Sequence, residues 1–116
     1  MADLVGTCPK GFWEEWLREG DAAGEPETGQ LYEWHTRSPV AARTGPLYRF
    51  YIVAHGKLRG DAPVVRAQGS HGAWCIYRAA GAVACTIDEP IPGFRGLRER
   101  WWPQSQEKPF PEWRQP

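Results

Sequence analysis

Two segments of the chain combine basic and aromatic side chains in a way that suits ligand binding. In the first, Ala54-His-Gly-Lys-Leu-Arg-Gly, an apolar stretch runs into a basic turn flanked by glycines. Glycine lets a backbone approach a ligand closely, and residues at strand ends commonly form binding sites. His55, Lys57 and Arg59 are therefore candidate binding residues. An ordinary solvated hairpin turn is the alternative.

The second segment, Pro92-Gly-Phe-Arg-Gly-Leu-Arg-Glu-Arg-Trp-Trp, interleaves three arginines with aromatic rings. Aromatic rings stack on nucleobases while arginines hold phosphates, so Arg95 and Trp102 are candidate ligand contacts. The alternative is that Phe94, Trp101 and Trp102 close one end of a β-barrel.

Basic and acidic residues are unevenly distributed along the chain, although their totals cancel. The 116 residues include 14 Lys and Arg and 14 Asp and Glu. Residues 1–33 hold eight acids and two bases, whereas residues 34–102 hold ten bases, nine of them arginine, and four acids. Arginine is preferred for bidentate recognition of phosphates and carboxylates, which favours an anionic ligand. A solvated basic face or a GC-rich genome would give the same bias.

Other kinds of chemistry have weaker signals. No dinucleotide-binding, P-loop or Gly-x-Ser-x-Gly pattern is present, the three histidines are not clustered, and the three cysteines form no C-x-x-C pair. The sequence therefore predicts neither a metal nor a cofactor. A nucleophilic pair of His55 with Cys75 or Cys85 is an alternative, but both cysteines lie in apolar stretches, which predicts buried small hydrophobic residues.

Length and hydropathy limit the class of protein. We predict one domain over residues 1–116, with a proline-rich tail at 103–116 that wraps the surface and is anchored by Phe110 and Trp113. No run of 18 apolar residues occurs, so no membrane contact is predicted. The first residues lack the features of a signal peptide, and the odd cysteine count is a poor disulfide framework, so we expect a cytoplasmic protein.

Composition and residue patterns predict a mainly β chain with one or two short helices, an α+β fold. The 13 Gly and 11 Pro interrupt helices, while seven Trp bury too much area to stay disordered. A short helix is predicted at 11–19, because Trp13, Trp16 and Leu17 lie on one face. Residues 56–60 are predicted to be a turn, and 94–102 either a helical turn or an extended segment. Strands are predicted at 30–37, 47–55 (central in the sheet), 62–67, 74–78 and 82–87, the last two as a hairpin.

The order of these features resembles the PUA-like superfamily and, within it, the ASCH-type domains. The resemblance is carried by Thr28-Gly-Gln-Leu-Tyr-Glu-Trp-His-Thr-Arg and, after a loop, by Tyr51-Ile-Val-Ala-His-Gly-Lys-Leu-Arg-Gly. It covers about residues 28–67, with a weaker match through Arg100. It implies a small β-barrel with a short helix near its start.

The resemblance supports the fold more than an enzymatic activity. Small ASCH enzymes that hydrolyse acetylated cytidine have a Lys, a Thr and a Glu in their cleft. Here Glu33 and Thr36 match two of these residues, whereas Gln30 and Leu31 stand where the family has its Lys. Lys57 lies on a later turn.

Three hypotheses for function follow. The first is a binding module for single-stranded RNA or DNA, a nucleotide or a modified base, held in a cleft between residues 33–37 and 56–60. Trp34 or Trp102 would stack on a base, and Thr36 or His55 would read its edge. The near-neutral charge indicates a footprint of one or a few nucleotides. The phosphates would be held by Arg37, Lys57 and Arg59.

The second hypothesis is an amidohydrolase acting on a modified, acylated nucleoside. Glu33 would be its general acid and base, Lys57 would stabilise developing charge, and Thr36 would position the substrate. The third hypothesis is a protein-interaction domain whose acidic first third pairs with a basic partner surface or with the chain's own basic half. The sequence leaves the oligomeric state open.

Overall fold

The computed structural model describes residues 2–8, 12–14, 16–17, 32–36, 47–70, 73–78 and 82–110. Residues 12–14 and 16–17 are helical, and Gln104–Gln106 form a 3-10 helix. The prediction of a mainly β chain with few short helices is confirmed. The strands are β1 (Ala2–Thr7), β2 (Tyr32–Thr36), β3 (Leu47–Ala54), β4 (Lys57–Ser70), β5 (Ala73–Arg78), β6 (Val83–Thr86), β7 (Leu97–Glu99) and β8 (Lys108–Pro109).

Six strands form the main path of the sheet, in the order β2-β5-β4-β3-β1-β7, while β6 pairs with β4 and β8 pairs with β6. Gly60 is aligned with Ile52 of β3 and with Ala84 of β6, so β3 and β6 lie on opposite edges of β4. Among the described residues, no pairing joins β2 to β7 at the two ends of the path. Closure into a PUA-like barrel therefore stays a prediction.

The turn between β3 and β4 is shorter than the sequence predicts. The chain reverses at His55 and Gly56 alone, with φ angles of 53° and 76°, and Ala54 pairs with Lys57 across the turn. Two-residue loops with positive φ at both positions match the twist of the flanking strands. The prediction of a turn over residues 56–60 is wrong, because Lys57 and Arg59 already belong to β4.

The predicted hairpin of β5 and β6 is also wrong. Arg78 of β5 is aligned with Tyr32 on one neighbouring strand and with Val64 on the other, so both edges of β5 are occupied. β6 instead pairs with β4 at Gly60 and Asp61. β4 has 14 residues and is therefore long enough to pair with both β5 and β6, which follow one another in the chain.

β1 has no counterpart among the predicted strands. It lies between β3, to which it is parallel, and β7, to which it is antiparallel. Residues 97–99 form β7, so the extended alternative for the segment 94–102 is the one that the structure contains. As expected for its apolar sequence, β3 is an inner strand of the sheet, between β4 and β1.

Both faces of the sheet bury apolar side chains, because successive residues of β3 point to opposite faces. Phe50 and Ile52 belong to one cluster, here the helix-side cluster, and Tyr51 and Val53 to the other, the tail-side cluster. The tail-side cluster also contains Ile87, Ile91 and Trp102. The helix-side cluster includes the predicted helical core residues, whose burial confirms the helix prediction: Trp13, Trp16 and Leu17.

The tail folds back onto the sheet as far as the structure describes it. Phe110 is buried, which confirms it as an anchor, and its backbone N–H donates to Ala84 O at 3.2 Å. Trp113 lies outside the described residues. Within the described part of the chain, no helix is long and apolar enough to cross a membrane.

Candidate ligand-binding site

A surface cavity of about 220 Å³ lies beside the β3–β4 turn. Its walls are Lys57 of β4, residues 86–90, and Lys108 and Phe110 of the tail. The Ile91 N–H donates to Gly56 O at 2.8 Å, which fixes the segment after β6 against the turn. Pockets for drug-sized ligands span roughly 300–1,000 Å³, so this cavity suits a smaller molecule, about the size of a nucleobase or nucleoside.

The cavity carries charges of both signs. Lys108 forms an ion pair with Asp88, and both side chains are exposed, so this pair contributes little to stability and can exchange partners with a ligand. Lys57 is exposed and, among the residues that the structure describes, forms no ion pair. Its ammonium group is therefore the cation of the cavity that is available to an anion.

Trp101 presents an aromatic ring next to the cavity, which it does not line, through a hydrogen bond to a cavity residue. It is 43% exposed, yet its Nε1 donates to Oε2 of the cavity residue Glu89 at 3.1 Å. Its ring makes edge contacts with Phe94 and Trp102, with centroids 6.3 Å and 4.9 Å apart. Because these contacts fix a ring that is still partly exposed to solvent, Trp101 is a candidate for stacking on a planar ligand.

The neighbouring Trp102 lies in the core. It is 3% exposed, and its ring packs edge-on against Tyr51 at 5.4 Å. Its Nε1 donates to Glu107 Oε2 at 2.9 Å. Of the two adjacent tryptophans, Trp101 is exposed to solvent, whereas Trp102 is buried and packs against the Trp101 ring. The sequence offered no signal that separates the two.

Arg59 joins the helix and the tail. Its side chain is buried, with its guanidinium carbon 4.7 Å from the Trp13 ring centroid and 4.9 Å from that of Phe110. Its Nε donates to Ala54 O at 2.9 Å. These contacts are cation–π and hydrogen-bonding interactions within the protein, and Arg59 does not line the cavity.

The structure describes the side chains of two of the other residues singled out from the sequence. His55 is exposed in the turn beside Lys57, and Arg95 is exposed between Phe94 and β7. Arg37 lies outside the described residues, and the side chain of Trp34 is likewise outside them. Of His55 and Lys57, only Lys57 lines the cavity, and His55 lies in the turn that precedes it.

The backbone register separates the proposed catalytic residues. Glu33 is aligned with Tyr77 of β5, which is aligned with Arg66 of β4. Arg66 and Lys57 are nine residues apart on β4, or on the order of 30 Å along the strand at about 3.3 Å per residue. Thr36 follows farther along β2, away from the Lys57 end of β4. These are separations along the strand path, and the side chains of Glu33 and Thr36 lie outside the described residues.

A second group of polar side chains lies within the tail-side cluster. Asp61 is buried and accepts a hydrogen bond from Arg49 Nε at 2.5 Å and one from the Cys85 thiol at 3.7 Å. Burial raises the pKa of Asp61 above its ordinary value, while Arg49 opposes this shift. Burial, with the nearby Asp61 carboxylate, raises the pKa of Cys85. The thiol therefore stays protonated and is unsuited to act as a nucleophile.

Glu107 attaches the tail to β3 next to this group. Its Oε2 accepts hydrogen bonds from the Tyr51 hydroxyl at 2.8 Å and from Trp102 Nε1 at 2.9 Å. Burial and the hydrogen bond to Glu107 raise the pKa of Tyr51. The tail segment that carries two walls of the cavity is thus held in place by buried polar contacts, which sequence reasoning missed because they join distant positions.

Among the described residues, no three His, Cys, Asp or Glu side chains are grouped so that they could hold a metal ion. The resemblance to PUA-like domains stays a prediction from the sequence. Searches with the chain found no matching family model, no matching curated protein and no matching solved structure.

Proposed function

We propose that the protein is a nucleotide-binding module that stacks a base on Trp101 and holds the phosphate with Lys57. The observation that carries this proposal is the exposed Trp101 ring, fixed by its hydrogen bond to Glu89 at the rim of the cavity. Stacking on an aromatic ring contributes about 1–3 kcal/mol per base and tolerates any base. The cavity volume suits one such unit.

The charges of the cavity support a nucleotide over a neutral aromatic ligand. The ammonium group of Lys57 has no carboxylate partner among the described residues, so a phosphate can approach it without displacing an ion pair. Lys108 offers a second cation once its exposed pair with Asp88 exchanges. The carboxylate of Glu89 can accept a hydrogen bond from a base amino group.

The proposal keeps Lys57 and His55 from the sequence hypotheses and takes Trp101 as the stacking ring. We do not extend it to the amidohydrolase alternative. That activity needs Glu33 and Thr36 in one cleft with Lys57, and the side chains of Glu33 and Thr36 lie outside the described residues.

Calorimetric titration with the four ribonucleoside monophosphates and their nucleosides tests the proposal. We expect saturable binding of nucleotides that weakens as salt rises, and weaker binding of nucleosides, which lack the phosphate that Lys57 holds. Trp101→Ala should weaken binding by about 1–3 kcal/mol, while Trp101→Phe should retain part of it. Lys57→Gln should reduce the difference in affinity between a nucleotide and its nucleoside, because only Lys108 then remains to hold the phosphate.

Val83→Ala is the matched control, because Val83 is also a large apolar side chain, 51% exposed, but unlike Trp101 it has no hydrogen bond to a cavity residue. Circular dichroism of each variant checks that the sheet is intact. Absence of nucleotide binding to the unmodified protein, or equal affinities for it and for a folded Trp101→Ala variant, would contradict the proposal.

A further inference from the structure

We infer that the bound nucleotide belongs to a single strand of nucleic acid, whose backbone continues from Trp101 over Phe94 toward Arg98. This inference rests on the proposed function, because Trp101 serves both. It adds a second surface, defined here as the arginine surface, formed by Phe94, Arg95 and Arg98.

Phe94 holds the guanidinium of Arg98 beside Trp101. The Phe94 ring meets Trp101 at a centroid distance of 6.3 Å, and the Arg98 guanidinium carbon lies 4.2 Å from the Phe94 centroid. Phe94 is itself fixed, because it packs on the tail-side cluster and its N–H donates to Thr7 Oγ1 at 3.0 Å. Arg98 is therefore oriented before any ligand arrives, which lowers the entropy lost on binding.

The register of β7 separates its charges. Arg98 is aligned with Val5 of the tail-side cluster, whereas the next residue, Glu99, is aligned with Leu4 of the helix-side cluster. Successive residues of a strand point to opposite faces, so the carboxylate of Glu99 faces away from the arginine surface. The exposed guanidinium of Arg98 thus has no neighbouring carboxylate on its own strand face.

Three arginines lie between residues 95 and 100, and the structure gives them different roles. Arg100 is used internally, since its Nε forms an ion pair with Asp3 at 3.0 Å and its guanidinium donates to Trp102 O. Arg95 and Arg98 are exposed and, within the described part of the chain, form no ion pair. Two exposed cations therefore remain for a ligand near Trp101: Arg98, which lies over the Phe94 ring, and Arg95, which follows Phe94 in the chain.

A mononucleotide does not use both groups of cations. Its phosphate is held at the cavity by Lys57. Arg98 is separated from Trp101 by the Phe94 ring, whose centroid lies 6.3 Å from that of Trp101 and 4.2 Å from the Arg98 guanidinium carbon. Each further nucleotide of a strand adds a phosphate, so Arg98 meets a phosphate that a neighbouring nucleotide supplies. A base paired in a duplex has no free face for Trp101, so the strand must be single.

The test compares the mononucleotide that binds most tightly with a hexanucleotide of the same base, as ribose and deoxyribose forms, and with a blunt duplex. We expect at least one single-stranded hexamer to bind about tenfold or more tightly than the mononucleotide, and the duplex to bind more weakly than that hexamer. The tighter of the two hexamers identifies the sugar. Arg98→Gln should weaken hexamer binding more than mononucleotide binding.

Salt dependence gives a second readout. The slope of log affinity against log salt concentration should fall by about 0.7 in Arg98→Gln, the value for one lost phosphate contact on a single strand. Arg98→Lys should keep the slope, because it keeps the charge. Glu99→Gln is the matched control, since it changes one charge on the same strand but on the opposite face.

Equal affinities of mononucleotide and hexamers, or an unchanged slope in Arg98→Gln, would overturn the inference and leave the nucleotide site standing. Failure of both mononucleotide and hexamers to bind would overturn the proposed function itself. The two failures are therefore distinguishable.

Discussion

Replacing Arg49 by leucine should destabilise the protein more at pH 8 than at pH 5. The side chain of Asp61 is 6% exposed and its Oδ2 accepts a hydrogen bond from Arg49 Nε, whose side chain is 28% exposed. Burial raises the pKa of Asp61, and Arg49 opposes the rise. Without the guanidinium, a charged Asp61 stays buried beside Glu107, which also raises its pKa.

The magnitude follows from the burial of the pair. Removing one partner of a fully buried ion pair costs about 3–5 kcal/mol. Because Arg49 is partly exposed, we expect about 2 kcal/mol at pH 8. Each unit by which the variant raises the pKa of Asp61 adds about 1.4 kcal/mol to the difference between the two pH values.

The sign follows from proton binding. The pKa of Asp61 is higher in the folded than in the unfolded protein, so between these two values the folded protein binds more protons. Stability then falls as pH rises through that interval. Arg49→Leu extends the interval upward, so the loss of stability is small in acid, where Asp61 is protonated, and full above the raised pKa.

Urea unfolding at pH 5 and pH 8, followed by tryptophan fluorescence, measures the free energy of unfolding that Arg49→Leu loses at each pH. Arg98→Leu is the matched control, because it removes an exposed arginine far from the Asp61 carboxylate and should cost the same at both pH values. Asp61→Asn combined with Arg49→Leu should remove the pH dependence. An equal loss for Arg49→Leu at both pH values would refute the assignment to Asp61.

Two further predictions concern the interior. Gly60→Ala should lower the free energy of unfolding by about 1–3 kcal/mol, because a Cβ there would lie 2.7 Å from Val83 O. Gly56→Ala, with φ +76° and nothing within 4 Å, should cost only about 1 kcal/mol of backbone strain, and a larger loss for Gly56→Ala than for Gly60→Ala in urea unfolding would contradict this. Cys8 and Cys85 should resist alkylation in the native protein, because burial raises the pKa of Cys8 to about 12 and raises that of Cys85. Peptide mapping of iodoacetamide-treated protein checks this prediction. Rapid labelling of Cys8 or Cys85 at pH 8 without denaturant would count against it.

The predictable parts of the fold were those with a strong local pattern. The apolar run of β3 predicts an inner strand, and the spacing of Trp13, Trp16 and Leu17 predicts a buried helix face, as the structure shows. β1 could not be recognised in this way, because its partners lie in distant parts of the chain. A β5–β6 hairpin was predicted because the two strands follow one another in the chain. In the structure both pair with β4, which is long enough to accommodate them.

The candidate site was predictable in part for a similar reason. The glycine-flanked basic segment indicates Lys57, which does line the cavity. The stacking ring could not be chosen from sequence, because Trp101 and Trp102 are adjacent and chemically identical, and only packing against Tyr51 decides which one is buried. For Arg59 the sequence was misleading. The glycine-flanked basic segment predicts an exposed binding residue, whereas in the structure the Arg59 guanidinium lies over the Trp13 and Phe110 rings.

The position of β1 also determines when the sheet can be completed. β1 is synthesised before both of its partners. Its pairing with β7, in which Gly6 is aligned with Leu97, joins the first described strand to a strand near the other end of the described chain. Contacts between such distant positions form slowly, because a long loop must close before any pairing energy is gained. Until residues 97–99 have left the ribosome, one edge of β1 lacks its strand, so completion of the sheet is a late event that follows synthesis of nearly all the described residues.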